Sequence, residues 1–310
     1  MHSFPFITIG LPTYNRLNYL QEAYESVKAT QFEKLEIIIS LDVHPVSGLP
    51  DKSILRWLKK VSEFDRRINF FITPQNLGLS NNWNFIAEKA TGDYMMLLGD
   101  DDRLLPSTIL ELYKGIEAGA DISFSNHYLI NENGIRLTQS EQNTRRFNRY
   151  LLENGIVHNI EKYIWLNAVP ISAALIKTEL LKEIRFPPDM NTPEIVFFLK
   201  AAQKGAIFHF NSDYLVEYRV HSGSATSQGL FLEKLFECLD DFSVTPANER
   251  YKIQFMQHLI GGAFHRYIKT GQPKKALQLF FHRYYPRRAN YIFSFVKQLF
   301  SLIYYKRKAL

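Results

Sequence analysis

Three adjacent carboxylates, Asp100, Asp101 and Asp102, follow the apolar run Tyr94–Leu98 and a single glycine, Gly99. Like charges this close raise one another's pKa values and favour protonation unless a cation compensates them. Mg²⁺ and Mn²⁺ prefer oxygen ligands, and often bind one or two carboxylates together with substrate phosphates. The cluster therefore reads either as a seat for a divalent cation and a phosphorylated ligand, or as a solvated acidic turn capping the next helix. A second group, Gly10-Leu11-Pro12-Thr13-Tyr14-Asn15-Arg16, closes the first apolar run. Tyr14 suits stacking on a base and Asn15 offers an amide; as plain turn chemistry, Asn15 would cap the following helix instead. A third, Asn76-Leu77-Gly78-Leu79-Ser80-Asn81-Asn82-Trp83, opens a helix with a tight backbone at Gly78.

Two isolated groups complete the set. Glu194 follows Pro193 at a helix start, where the helix dipole favours a carboxylate in any case. His221 ends a strand before Ser222-Gly223-Ser224, either as a ligand or as a surface histidine. Several chemistries are excluded. The chain has no G-x-G-x-x-G, no P-loop, no H-E-x-x-H and no G-x-S-x-G nucleophile elbow. Its single cysteine, Cys238, rules out an intrachain disulfide and any multi-cysteine zinc site.

The elements that must position these groups follow from periodicity. Short β-branched and aromatic runs at Phe6–Leu11, Leu35–Leu41, Ile68–Ile72, Tyr94–Leu98 and Asp121–Ser125 predict strands. Between them, Leu17, Leu20, Tyr24 and Val27 recur at helical spacing, as do Ile54, Leu55, Leu58 and Val61, and Trp83, Ile86, Ala87 and Ala90. A further helix should open at Pro106-Ser107, with Ser107 as N-cap and Gly119 or Gly115 as its end. Such alternation predicts an α/β fold with a mostly parallel sheet covered on both faces. Ligands of such sheets bind beyond the strands' carboxyl ends, where the acid cluster stands. The segment 126–170 reads as loops and helices over the sheet edge, a candidate acceptor-side lid. A strand–helix unit follows at Ile171–Ile184, then a helix over Phe197–Gln203 closed by Gly205, and a strand pair near Ala206–Phe210 and Tyr214–Val220.

Charge separates the chain into two parts. Residues 251–310 carry 12 Lys and Arg and no Asp or Glu, which leaves 25 basic against 31 acidic residues in 1–250. The tail should face something anionic. It also holds 14 aromatics, and its last helix candidate, Ala289–Tyr305, contains Lys297 and precedes Lys306-Arg307-Lys308. That pattern fits an interfacial helix on an anionic membrane better than a spanning one, and leaves self-association open. The N-terminus lacks the basic patch and apolar run of a signal peptide. With one cysteine, these features predict a cytoplasmic protein, at the cytoplasmic face of the membrane if the tail docks there.

In their order and spacing, the motifs resemble the family 2 glycosyltransferases of GT-A fold, over roughly residues 5–225. The matching pieces are P-x-Y-N at Pro12–Asn15, the strand Glu36–Leu41 with Asp42, N-x-G at Asn76–Gly78, and A-x-G-D-Y-x-x-x-L at Ala90–Leu98 leading into Asp100–Asp102. Glu194 before an apolar helix and Tyr218-Arg219-x-His221 follow in order. The resemblance implies a GT-A domain over 1–228 and a basic, aromatic-rich helical extension over 229–310. It implies that Pro12, Tyr14, Asn15, Asp42 and Asn76 line the nucleotide pocket, and that Asp100 and Asp101 face the ribose and diphosphate. Asp102, with His221, would hold Mg²⁺ or Mn²⁺, and Glu194 would be the catalytic base. The implied activity is metal-dependent, inverting transfer from a nucleotide-sugar donor to a glycan or lipid-linked acceptor, in cell-surface polysaccharide synthesis. A catalytically inactive scaffold of the same fold is the alternative. A nucleic-acid-binding module using the basic tail is a weaker one, since the acidic body argues against it.

Overall fold

A computed structural model describes residues 5–30, 32–190, 192–221, 232–286 and 296. The chain divides into two compact units, Met1–Phe231 and Leu232–Leu310.

The first unit opens with β1 (Ile7–Thr13), α1 (Leu17–Lys28), β2 (Leu35–Leu41), α2 (Lys52–Phe64), β3 (Ile68–Ile72), α3 (Gly78–Lys89) and β4 (Tyr94–Leu97). Every residue of β2 is buried, as expected of a parallel strand covered on both faces. Asp51 caps α2, accepting from the N–H groups of Ser53 at 2.8 Å and Ile54 at 3.0 Å. Gly10 is required by packing: a Cβ there would stand 2.6 Å from the Ile86 side chain, so only glycine lets α3 lie this close to β1.

There follow β5 (Arg103–Leu104), α4 (Thr108–Glu117), β6 (Ile122–Ile130), α5 (Ser140–Arg146), a 3₁₀ turn (Arg149–Leu151), β7 (Gly155–Ile156), α6 (Ile160–Trp165), β8 (Ala174–Lys177), α7 (Thr178–Ile184), α8 (Pro193–Gln203) and β9 (Phe208–Arg219). The strand order is β3-β2-β1-β4-β8-β6-β9-β5, with β7 also on β9. Strands β1 to β4 run parallel, and β6 runs parallel to β9, while β8, β5 and β7 are antiparallel to their neighbours. The sheet is thus mixed and mostly parallel. The register Gly10↔Leu97 brings the carboxyl ends of β1 and β4 side by side.

Three expectations are corrected. Strand β6 does not stop at Ser125 but continues to Ile130. The anticipated strand pair is one twelve-residue strand, β9. Asn211-Ser212-Asp213 reads as a turn and is instead absorbed as an irregularity where the β6–β9 register shifts around Asn126. It is tied down by Asn126 Nδ2, which donates to the Ser212 carbonyl at 2.7 Å. Ser107 makes no side-chain cap; the Thr108 hydroxyl instead holds the turn before the helix, accepting from the Leu105 N–H at 3.0 Å. Gly119, at φ +95°, ends α4, while Gly115 lies within it.

The second unit holds α9 (Leu232–Asp240), α10 (Glu249–Lys269) and α11 (Pro273–Phe280). Leu239, Met256, Ile260, Phe264 and Ala276 are buried in it. Lys252 is buried too, its ammonium donating to the carbonyls of Asp240 and Phe242 at 2.7 Å each. The helix expected over Ala289–Tyr305 lies outside the described residues, apart from Val296. Among the described residues no helix is long and apolar enough to cross a membrane.

Candidate active site

The carboxylates gather at the end of β4. Asp100 and Asp102 are 1% and 2% exposed, an expensive burial for charged groups without partners. Asp100 accepts from the Thr13 hydroxyl at 2.7 Å and pairs with Arg16. Arg16 Nη1 also donates to Asp101 Oδ2 at 2.6 Å and lies 3.1 Å from His221 Nε2. His221 Nε2 is in turn 2.9 Å from Asp101 Oδ2. Residues from both strand ends, β1 and β4, and from beyond β9 therefore meet at one point.

Arg219, the last residue of β9, braces this loop from behind. Its main-chain N–H donates to Asp102 Oδ1 and its Nε to the Asp101 carbonyl. Its Nη2 pairs with Glu22 at 2.5 Å, and the Tyr19 ring lies 4.5 Å from its guanidinium. Burial pushes the Asp100 carboxyl up to about 6, against the pull of Arg16, and the Asp101 charge adds to the rise. Burial and then the Asp101 charge push Asp102 well above the ordinary carboxylate range, offset in part by the Arg219 N–H. The loop stores unfavourable charge that an added cation would relieve.

The donor set fits a hard divalent ion. Among the described residues Asp102 Oδ2 carries no hydrogen bond. Gly99 lets the two acids close in: a Cβ there would stand 2.7 Å from Asp101 Oδ1 and 3.1 Å from Asp102 Oδ2. Among the described residues no three His, Cys, Asp or Glu side chains form a complete metal cage. An ion that takes one or two carboxylates and completes its shell with phosphate oxygens needs none.

The residues expected on the nucleotide side are placed differently. Asp42 is 4% exposed and its carboxylate is already engaged. It accepts from the Thr73 hydroxyl at 2.7 Å and from the N–H groups of Leu77 and Gly78 at 2.9 and 3.0 Å. It thus caps the start of α3 from another strand. Asn76 Nδ2 donates to the Val43 carbonyl at 2.7 Å, tying the same loop to the end of β2. Tyr14 is half-buried, its ring 6.4 Å from that of His44. Pro12 is half-buried and Asn15 exposed, and Asn15 is not the cap of α1, whose N-cap position is Arg16.

Glu194 opens α8, behind Pro193. The residue is half-buried, but its Oε2 is sealed from solvent and has no partner among the described residues. Burial pushes this carboxyl up to about 7, and its own backbone N–H offsets the rise in part. The chain leading to α8 is pinned to α3. Asn84 exchanges two hydrogen bonds of 2.8 Å with the main chain of Phe186, and the Ser80 hydroxyl donates to the Met190 carbonyl at 3.2 Å. The structure therefore assembles Asp100, Asp101, Asp102 and His221, and sets Asp42 and Asn76 together at the head of α3. Arg16, Arg219, Thr13 and Glu22 were given no role by the sequence. Arg16 carried one signal: a cation at the start of a helix opposes the dipole unless acids lie opposite.

Comparison with known proteins agrees with this geometry. Residues 8–184 match the family described as glycosyl transferase family 2. An uncharacterized glycosyltransferase of Methanocaldococcus jannaschii, MJ1057, is 25% identical over 221 residues, covering 70% of this chain and 71% of that protein. A Campylobacter jejuni GalNAc(5)-diNAcBac-PP-undecaprenol beta-1,3-glucosyltransferase is 32% identical over 132 residues, covering 42% of this chain and 41% of the other. Among solved structures, S. aureus TarS with UDP-GlcNAc superposes with a TM-score of 0.63 at 16% identity, covering 96% of this chain and 80% of the other. The mannosyltransferase PcManGT of Pyrobaculum calidifontis, with GDP-Man and Mn²⁺, gives 0.62 at 15% identity, covering 97% and 86%. With a family match over more than half its length and an acid loop at the mouth of a GT-A sheet, the chain belongs to glycosyl transferase family 2 and is a glycosyltransferase.

Proposed function

We propose that this enzyme transfers a sugar, with inversion, from a nucleoside-diphosphate donor to a hydroxyl of a glycan or lipid-linked acceptor in cell-surface polysaccharide synthesis. The observation that carries this reading is the convergence of Asp100, Asp101, Asp102, Arg16 and His221 at the ends of β1 and β4. Tyr14 and Pro12 line the base side, with Asp42 and Asn76 holding that wall in shape. Arg16, a third exposed, is placed to meet the donor diphosphate. Asp102, with His221 beside Asp101, would hold the Mg²⁺ or Mn²⁺ that stabilises charge on the departing diphosphate. Glu194 takes the acceptor's proton: a carboxyl raised to about 7 is matched to a base working near neutral pH. Binding of UDP-GlcNAc by TarS and of GDP-Man with Mn²⁺ by PcManGT supports a nucleotide-sugar donor and a divalent ion.

The segment 126–170 forms the acceptor side. Residues 251–310 make peripheral contact with an anionic membrane, on the cytoplasmic face. Their charge supports this, as do exposed Lys274 and Lys275 near Phe281, which is 72% exposed. The test is thermal shift with UDP, GDP, CDP and dTDP, each with and without Mn²⁺, on wild type and Asp102→Ala. A metal-dependent rise with one nucleotide, lost in Asp102→Ala, supports the donor site. No rise with any nucleotide in a folded sample would remove it.

A further inference from the structure

Among the described residues three buried side-chain nitrogens stand without a partner: His209 Nδ1, and two that belong to neighbouring residues, on Arg149 and His127. Arg149 is 2% exposed and follows Asn148, whose left-handed backbone (φ 58°) turns the chain inward. Its Nε donates to Asn126 Oδ1 at 3.1 Å, while its Nη2 bonds to nothing. The Phe147 ring lies 5.5 Å from its guanidinium. Among the described residues Arg149 forms no ion pair, and the charge that favours its cationic form is only that of the Tyr214 phenol. His127, 6% exposed, is its neighbour. His127 Nε2 lies 3.0 Å from Asn143 Nδ2, which donates to it, and Nδ1 has no partner. Burial and the Arg149 charge hold this imidazole well below its ordinary range, so it is neutral. With Nε2 accepting, Nδ1 carries the hydrogen. Both orphans are therefore donors, and both lack an acceptor.

A buried guanidinium without a counter-ion is among the costlier arrangements a fold can carry, and it cannot escape by losing its proton. We propose that Arg149, His127 and Asn126 frame an oxyanion-binding pocket, distinct from the donor site, for a carboxylate or phosphate group. The guanidinium fork matches such a group, and His127 Nδ1 supplies a further donor. The pocket belongs to the acceptor side of the molecule. The His127 ring lies 5.4 Å from that of Tyr218, the residue before Arg219. Asn126 stands four residues before Ile130, the partner of Arg219, which is roughly 13 Å along β6. That separation suits an acid group carried by an acceptor glycan rather than the donor diphosphate. The turn bearing Arg149 is at the surface, since Tyr150 and Leu151 beside it are 54% and 43% exposed.

The experiment is thermal shift and calorimetric titration of the full chain at constant ionic strength, with inorganic phosphate, glucuronate and glucose. An oxyanion at a hundredfold excess over Kd should raise the midpoint by about 5 °C, and glucose should not. A larger response to glucuronate identifies an acidic glycan as the source; a response to phosphate alone identifies a phosphorylated one. Arg149→Met and His127→Phe should each abolish the response. Arg149→Met should also raise the midpoint of the unliganded protein, because the lone buried charge is gone. UDP with Mn²⁺ should still shift both variants, which separates this pocket from the donor site. No oxyanion response in the wild type, or one retained in both variants, overturns the proposal and leaves the two nitrogens to an internal water. Should Arg149→Met fail to fold, His127→Phe carries the same comparison.

Discussion

The main-chain N–H of Arg219 donates to Oδ1 of Asp102 at 2.9 Å, so the last residue of β9 sets the angle of an acid 117 positions earlier. The Arg219 side chain, wholly buried, reaches past it to Asp101, Asn131, Glu132 and Glu22. Arg219→Met keeps the N–H but strips the guanidinium, leaving three carbonyls and a carboxylate short of a donor. The expected loss is about 3 kcal/mol in urea unfolding. A smaller loss of metal-dependent nucleotide binding should accompany it, because the Asp101–Asp102 loop loosens.

Arg16 pairs with the carboxylates that the proposed divalent cation would also meet. Removing one unit of positive charge a few ångströms from the acids should tighten Mn²⁺ binding. In Arg16→Met, titration with Mn²⁺ alone should show about tenfold higher affinity than wild type. Nucleotide binding should weaken in the same variant. Unchanged Mn²⁺ affinity would place the ion away from Asp100 and Asp101.

Glu194 predicts a pH profile. As a base it must be ionised, so kcat/KM should rise with pH and reach half its plateau near pH 7. Glu194→Gln should lower transfer by about 10²–10⁴-fold and abolish that acid limb.

Stability carries the opposite sign at the same residue. A carboxyl whose folded pKa is raised from 4.5 to about 7 favours the folded state when protonated. Its contribution is complete below pH 4.5 and is lost as pH rises through about 7. The Glu194→Gln midpoint should therefore gain on wild type between pH 5 and pH 8. A constant difference across that range would mean that the carboxyl is not held in its raised state.

Asn84 clasps the Phe186 main chain in both directions. Asn84→Ala strands a buried N–H and a buried carbonyl, at a cost of about 2–4 kcal/mol measured by denaturant unfolding.

Legibility in the sequence followed the range of the interactions. Strands β2 and β3 have the bounds their apolar runs predict, because a short β-branched and aromatic run is a local signature, in β2 buried on both faces and in the edge strand β3 only partly covered. Three acids at a strand end were visible for the same reason. Strand β9 was misread because Asn211-Ser212-Asp213 has turn chemistry, and only pairing with β6 keeps it extended. Arg16, Arg219 and Glu22 stayed silent, since their partners lie 81 to 205 positions away. Asp42 was legible as an important acid, yet its donors at Leu77 and Gly78, and hence its service as a helix cap, appear only once β2 and α3 are brought together.

Helix α3 is held at its head by Asp42 and along its flank by the Phe186–Met190 chain that leads to Glu194. The wall proposed for the nucleotide base and the approach to the proposed proton acceptor are thus bolted to one rod. Slack introduced anywhere along that rod would degrade alignment between the two halves of the reaction while leaving each half able to bind its own ligand. Turnover would fall with both binding constants intact, and the defect would surface only when donor and acceptor are present together.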